Sequence, residues 1–93
     1  MSTRVREQIV FTGRVQGVGF RYKLSYLADA FRVTGWVKNE YDGSVQAQLQ
    51  GKPEELDQII QRLGQDRYIE LEGIDRRKIP LKEDEHLFEI RRS

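Results

Sequence analysis

A glycine-rich segment that ends in an arginine is the first part of this sequence with residue types suited to chemistry. Gly13, Gly17 and Gly19 precede Arg21. Glycine lets backbone N–H groups converge on one point, and the start of a helix supplies further N–H groups. The segment therefore indicates a cradle for a phosphate-sized anion, although a tight turn between a strand and a helix would use the same glycines. The spacing fits neither the Walker phosphate loop nor the dinucleotide fingerprint.

The two predicted helices begin with opposite charges. Glu54 and Glu55 stand at the start of the second helix, where the positive end of the helix dipole favours acidic residues. Arg21 and Lys23 stand at the start of the first helix, and the sequence has no Ser, Thr, Asp or Asn cap before it. A bound anion would offset this unfavourable placement. We therefore expect Arg21 to face an anion, with simple solvation as the alternative, and Lys23 to be a solvated surface residue.

A second segment with chemical potential runs from Gly35 to Asn39. The dipeptide Asp42-Gly43 follows it and predicts a hairpin turn. Asn39 therefore ends a strand just before a turn. An asparagine in this place is either a turn residue that tolerates unusual backbone angles or an amide that holds a water molecule. The residues alone leave both interpretations open.

The composition excludes several other kinds of site. The chain has no cysteine, which rules out disulfides, thiolate metal sites and thiol catalysis. Its one histidine, His86, is far along the chain from both segments, so we do not expect it to act as a base. The acidic run at residues 83–85 is typical of a solvated loop. The sequence thus predicts neither a metal site nor a cofactor.

The charge balance argues against a nucleic-acid partner. The net charge is only +1, whereas nucleic-acid binders usually carry a strong basic excess. The basic run at residues 75–78 is flanked by acidic residues and lacks interleaved aromatic side chains. Residues 44–50, predicted as a strand, contain no aromatic residue for stacking on a base. We therefore expect no nucleic acid among the partners.

The length and the apolar pattern set the expected organisation. A chain of 93 residues predicts a single domain over residues 1–93, with the polar residues 1–6 frayed. No apolar run approaches the ~18 residues of a membrane span, and residues 1–6 lead into no signal-peptide core. We expect a cytoplasmic protein with no membrane association. No obligate protein partner is evident from the sequence.

Apolar periodicity predicts seven elements. In the first helix Leu24, Leu27, Ala28 and Phe31 follow the spacing of one buried helical face. In order, the predicted elements are strand Gln8–Arg14, helix Arg21–Phe31, strands Gly35–Asn39 and Ser44–Gln50, helix Pro53–Leu63, a strand that starts at Tyr68–Leu71 and can continue to Ile79, and strand His86–Arg91.

This order indicates the α+β class. The pattern βαββαβ with a short extra C-terminal strand is that of a ferredoxin-like split βαβ fold. We expect an antiparallel sheet with both helices on one face. In the strand Ser44–Gln50, Val45, Ala47 and Leu49 alternate with polar residues, which predicts that the other face is polar. Such a fold alone does not identify a function.

The two segments together resemble the sequence motifs of the acylphosphatase family. Residues 11–21 match the first motif, which is an apolar residue followed by x-Gly-x-Val-Gln-Gly-Val-x-Phe-Arg. Phe11 replaces the aliphatic residue that is usual at the first position. The second, a Gly-aromatic-small-polar-Asn stretch followed by two spaced glycines, is met from Gly35 to Gly51. The resemblance covers nearly the whole chain. The region after Gly64 departs from it, because it lacks the Gly-Pro turn of many members.

The resemblance implies an enzyme and its residues. The implied reaction is metal-independent hydrolysis of the carboxyl–phosphate bond in small acyl phosphates, which gives a carboxylate and inorganic phosphate. Arg21 would bind the phosphate, Asn39 would position the attacking water, and a substrate oxygen would accept the water's proton. The rest of the cradle would be the backbone N–H groups of Gln16, Gly17, Val18, Gly19 and Phe20.

Two other classes remain open at this point. One is a non-catalytic phosphate-binding or regulatory ferredoxin-like module, because domains that resemble this one also occur inside larger carbamoyl-transfer proteins. The chain ends at Ser93, just after its last predicted strand, which favours a free-standing enzyme. The other class is a ferredoxin-like RNA-binding domain. The sequence marks neither the natural acyl group nor the oligomeric state.

Overall fold

The computed structural model describes residues 3–92 and contains five strands and two helices. In chain order they are β1 (Val5–Arg14), α1 (Phe20–Phe31), β2 (Thr34–Asn39), β3 (Val45–Gly51), α2 (Pro53–Gly64), β4 (Glu70–Ile79) and β5 (Phe88–Arg91). No helix between residues 3 and 92 is both long enough and apolar enough to span a membrane.

The five strands form one sheet in the order β4-β1-β3-β2-β5. The first four pair antiparallel, which confirms the ferredoxin-like arrangement. The extra C-terminal strand makes the sheet mixed at one edge, because β5 pairs parallel with β2. The cause is the position of β4 at the opposite edge. β2 runs opposite to β4. The chain crosses the sheet after β4 and reverses direction, so β5 runs parallel to β2.

The core lies between the two helices and one face of the sheet. Side chains alternate along the central strands, so that Ile9, Phe11, Ala47 and Leu49 are fully buried. Both helices turn apolar stripes toward them, and these stripes contain Leu24, Leu27 and Ala28 on α1 and Leu56, Ile59 and Leu63 on α2. The α1 stripe matches the periodicity predicted from the sequence. This packing fixes the start of α1 beside the ends of β1 and β2.

The opposite face of the sheet is polar and is crossed by the connection from β4 to β5. The Arg6 guanidinium bonds Glu85 at 2.7 Å and also bonds Gln48 and Gln50. Gln50 in turn bonds the backbone N–H and carbonyl of Lys82. Burial is the largest single influence and raises the pKa of Glu85, but the hydrogen bonds and charge of Arg6, together with Thr34 and the charge of Lys82, outweigh it and hold that pKa below its ordinary value.

These contacts correct the prediction for the start of the chain. Residues 1–6 were expected to be frayed, yet Val5 and Arg6 belong to β1 and pair with Gly51 and Gln50. Arg6 is only 3% exposed, and its guanidinium is hydrogen-bonded to three polar side chains. A charge with this many partners orders the strand end. Met1 and Ser2 lie outside the described residues.

Element limits differ from the predictions by a few residues. The strand after α2 begins at Glu70, because Asp66 accepts hydrogen bonds from the backbone N–H groups of Tyr68 and Ile69 and closes a turn. The last strand begins at Phe88 instead of His86. β1 starts at Val5, three residues before Gln8, because Val5 and Arg6 pair with β3 and Arg6 bonds Glu85.

Candidate active site

The loop between β1 and α1 is shaped by two glycines in left-handed conformations. Gly17 has φ of 74° and Gly19 has φ of 80°, values at which any other residue is strained. Gly19 is the N-cap of α1, and in the described part of the chain no side chain caps this helix end. Such a loop turns successive N–H groups toward one concave side, a geometry that binds anions.

The N–H groups of this loop lack partners in the structure. Within residues 3–92, no backbone carbonyl accepts a hydrogen bond from the N–H groups of residues 16–19. Phe20 opens α1, so its N–H group has no acceptor within the helix. The first intrahelical bond runs from the Lys23 N–H to the Gly19 carbonyl. Several donors are therefore free for a ligand.

The loop is fixed from both sides although its donors are free. The Gln16 amide nitrogen donates to the carbonyls of Glu40 and Ser44, both at 2.8 Å, and so ties the loop to the β2–β3 turn. On the other side Val15 is buried, and the Phe20 ring packs 4.9 Å from that of Phe11. A cradle held in this way is preorganised before any ligand arrives.

Asn39 brings an unpaired acceptor to the same place. It is the last residue of β2 and pairs with Val45 of β3. Its Oδ1 atom is buried, and among residues 3–92 it has no hydrogen-bond partner. Buried polar atoms are nearly always bonded, so such an atom calls for a ligand or a water. This observation favours the water-holding interpretation over the turn residue.

A cavity of about 150 Å³ joins the two segments. Its lining contains Val15, Gly17, Gly19, Phe20, Arg21, Tyr22 and Asn39. Arg21 and Asn39 therefore share one space although they are far apart in sequence. No acidic side chain of residues 3–92 belongs to the lining, so the charge of Arg21 dominates it. The space suits a small anion.

The two basic residues at the start of α1 have different surroundings. Arg21 is partly buried in the cavity wall, and no carboxylate of the described residues pairs with it. Lys23 instead faces the turn that follows α2, where its Nζ lies 3.6 Å from the Asp66 carboxylate. The solvated surface position expected for Lys23 is thus refined to a partly exposed ion pair. Arg21 alone is available to a ligand in the cavity.

The structure distributes the predicted site residues in two groups. Of the seven predicted site residues, five line the cavity, namely Arg21, Asn39, Gly17, Gly19 and Phe20. Gln16 and Val18 belong to the loop but lie outside the lining as the described residues define it, and their N–H groups stay a prediction. The anchoring role of the Gln16 side chain was missed. So was Tyr22, whose only sequence signal is its position next to Arg21.

Other candidate groups of the sequence lie elsewhere. His86 lines a separate cavity of about 380 Å³, beside β5, with Lys82, Asp84 and Arg91. That cavity is larger, but its mixed charges give it no preference for an anion, and it shares no residue with the cavity of Arg21. Between residues 3 and 92, no group of three or more His, Cys, Asp or Glu side chains is arranged to hold a metal ion.

Comparisons with known proteins agree with this geometry. The sequence model of the family described as acylphosphatase matches residues 7–90. The chain is 38% identical over 86 residues to an acylphosphatase from Clostridium acetobutylicum, an alignment that covers 91% of this chain and 94% of that protein. The match therefore includes both the loop and the strand that carry the cavity.

The fold is similar to solved structures. The crystal structure of acylphosphatase from Bacillus subtilis superposes with a TM-score of 0.84 at 32% identity, covering 92% of this chain and 97% of that one. A full-length HypF, solved in a phosphate- and nucleotide-bound form, gives a TM-score of 0.82 at 21% identity and covers 97% of this chain but 12% of that one. At that identity the likeness to HypF shows the fold alone.

Proposed function

This chain belongs to the acylphosphatase family, and from that premise we propose which of its residues carry out the reaction. The enzyme is an acylphosphatase, a hydrolase whose substrate is an acyl phosphate and whose products include inorganic phosphate. We further propose that residues 1–93 act as one domain, which the family match over residues 7–90 supports.

Arg21 and the loop bind the phosphoryl group. The guanidinium offers parallel N–H donors that match two phosphate oxygens, whereas a lysine would offer only a point charge. The free N–H groups of residues 16–20 and the positive end of the α1 dipole surround the remaining oxygens. Because the loop is already fixed by Gln16 and Phe20, little reorganisation is needed when the negative charge shifts in the transition state.

Asn39 positions the attacking water. Its buried Oδ1 accepts a hydrogen bond from a water molecule inside the cavity and so orients the oxygen lone pair toward phosphorus. Holding the two reactants in one geometry lowers the entropic part of the barrier. The amide does not have to bind phosphate for this role.

The chemistry needs little acid or base assistance. The water oxygen forms a bond to phosphorus, and the bond from phosphorus to the acyl oxygen breaks with its electron pair remaining on the carboxylate. A carboxylate is a good leaving group, so phosphoryl transfer depends mainly on positioning and charge stabilisation. The proton of the water passes to a phosphoryl oxygen, which makes the step substrate-assisted.

One observation carries this assignment above all. Arg21, Asn39 and the loop glycines line a single small cavity, and both the N–H groups and the Asn39 oxygen there lack partners within residues 3–92. A surface turn would leave its N–H groups to solvent and would not need a buried unpaired oxygen beside them. The combination fits a phosphoryl group with a water at its side.

The test is turnover by the purified protein. Benzoyl phosphate is supplied, its loss is followed spectroscopically, and released inorganic phosphate is counted against it. We expect one mole of inorganic phosphate to be released for each mole of benzoyl phosphate lost. A chelator should change the rate by less than about twofold, because the site lacks ligands for a divalent ion. Phosphate binding without turnover would instead identify a non-catalytic anion-binding module.

A further inference from the structure

Tyr22 has an unusual place for a large aromatic residue. It lines the cavity of Arg21 and Asn39, yet its side chain is 69% exposed. It follows Arg21 directly and lies in the first turn of α1. An aromatic ring at the rim of a cavity, with most of its surface in water, contributes little to the core. Its surface is available to whatever emerges from the cavity.

The cavity is too small to hold the whole substrate. An apolar cavity of about 150 Å³ holds one benzene molecule, which is about six heavy atoms. The space beside Arg21 is of that volume. A phosphoryl group together with the attacking water fills it. The acyl group of the substrate therefore lies outside, at the rim.

The rim is open on the side of the glycines. A Cβ built on Gly17 or on Gly19 would meet no atom within 4 Å apart from those of its chain neighbours, so space for an acyl group is free there. Tyr22 is the large apolar surface among the lining residues that also reaches solvent. An acyl group that emerges from the cavity beside Tyr22 would meet this ring as an exposed apolar surface.

Building on the proposed function, we propose that Tyr22 is a specificity-determining residue that packs against the acyl group and favours aromatic and larger apolar acyl phosphates over acetyl phosphate. Aromatic rings attract one another in offset or edge-to-face arrangements beyond the effect of buried area. A methyl group covers little of the ring and gains little from it. The selectivity thus arises at the rim, while the cradle treats all acyl phosphates alike.

The neighbouring Tyr26 provides a matched control. It lies one turn further along α1, is 71% exposed, and lines a different cavity with Lys23 and Asp66. Truncation of either tyrosine removes the same number of atoms from an exposed helical position. Alanine is a good helix former, so both variants should keep the fold. Only Tyr22 has access to the acyl group.

The experiment compares Tyr22→Ala, Tyr22→Phe and Tyr26→Ala with the native enzyme on benzoyl phosphate and acetyl phosphate. We expect Tyr22→Ala to lower kcat/KM for benzoyl phosphate by about three- to tenfold. For acetyl phosphate we expect a fall under about twofold. Tyr22→Phe should keep the native ratio of the two substrates, because it keeps the ring, and Tyr26→Ala should keep it as well.

A second readout separates the acyl group from the phosphate. Competitive inhibition by inorganic phosphate, which has no acyl group, should be the same in Tyr22→Ala as in the native enzyme. Equal losses on both substrates, a weaker phosphate inhibition in Tyr22→Ala, or the same selective loss in Tyr26→Ala would each overturn the proposal. Failure of the native protein to hydrolyse either substrate would contradict the proposed function instead, so the two failures are distinguishable.

Discussion

The two helices of this protein begin in opposite ways. α2 has Pro53 as its first residue, Glu54 and Glu55 in its first turn, and a hydrogen bond from the Lys52 N–H to the Glu55 carboxylate at 3.3 Å. α1 begins after a glycine, and among residues 3–92 it has neither an acidic residue in its first turn nor a side chain that caps it. The start of α2 therefore has acidic residues and a capping interaction, whereas the start of α1 has neither and is called the open start below.

On the proposed function, the start of α1 is a place where stability is given up for ligand binding. At the start of α2 the acidic residues suit the helix dipole, Pro53 has no N–H group to satisfy, and the Glu55 carboxylate accepts the Lys52 N–H. At the start of α1 it places Arg21 against the dipole and keeps the N–H groups free. Sites built for a transition state commonly carry such a penalty. The four predictions that follow test whether the open start is a binding site and the closed one only a support.

The largest effect is expected from Arg21. Arg21→Ala should lower kcat/KM for benzoyl phosphate by about 10³-fold, because it removes the charged donor that stabilises the phosphoryl group. Lys23→Ala is the matched control, since Lys23 lies on the same helix turn but pairs with Asp66. We expect it to change the rate by less than about twofold. Retention of more than about a tenth of the native rate in Arg21→Ala would remove Arg21 from the mechanism.

A smaller loss, with a different kinetic pattern, is expected from Asn39. Asn39→Ala should reduce kcat by about 10²-fold and leave inhibition by inorganic phosphate within about twofold of native, because the amide contacts the water and not the phosphate. Steady-state kinetics with inorganic phosphate as inhibitor measure both values. Gln46→Ala removes an amide from the other face of the sheet and serves as the control. An unchanged kcat would make Asn39 a turn residue only.

The smallest effect is expected at the closed helix start. Glu55→Ala removes the reciprocal cap of α2 and should lower the free energy of unfolding by about 0.5–1 kcal/mol. Turnover should stay native, because Glu55 lies outside the cavity lining. Urea unfolding and a benzoyl phosphate assay on the same preparation measure the two quantities. A loss of turnover with intact folding would mean that the two helix starts are not separate in function.

The sequence allowed much of the fold and most of the site to be predicted. The α1 stripe, the hairpin signal at Asp42-Gly43 and the alternation along β3 are local patterns, so their elements were found within a few residues. The joining of Arg21 and Asn39 in one cavity could not follow from local patterns, and it was expected only because both family motifs are present.

The features that the sequence did not reveal depend on long-range geometry. The direction of β5 depends on the place of β4 at the far edge of the sheet, which no residue of β5 specifies. The ordered conformation of the chain at Arg6 depends on a contact with Glu85, which is distant in sequence. Tyr22 was passed over because its type and spacing suggest only an exposed helical residue. Its relevance comes from the cavity that it borders.

The linkage between phosphate binding and folding tests the central claim most directly, namely that the start of α1 is an open anion site built around Arg21. Urea unfolding of the native protein and of Arg21→Ala is measured with and without inorganic phosphate. At ~100 times its dissociation constant, phosphate should stabilise the native protein by about 2.7 kcal/mol. Without phosphate, Arg21→Ala should be as stable as native or firmer by up to about 1 kcal/mol, because a cation leaves the positive end of a helix.

In Arg21→Ala the stabilisation by the same phosphate concentration should shrink toward zero. A loss of more than about 2 kcal/mol of stability in the phosphate-free variant would contradict this claim, since Arg21 would then be structural. Retention of the full stabilisation by phosphate in the variant would contradict it equally, since the anion would then bind without Arg21.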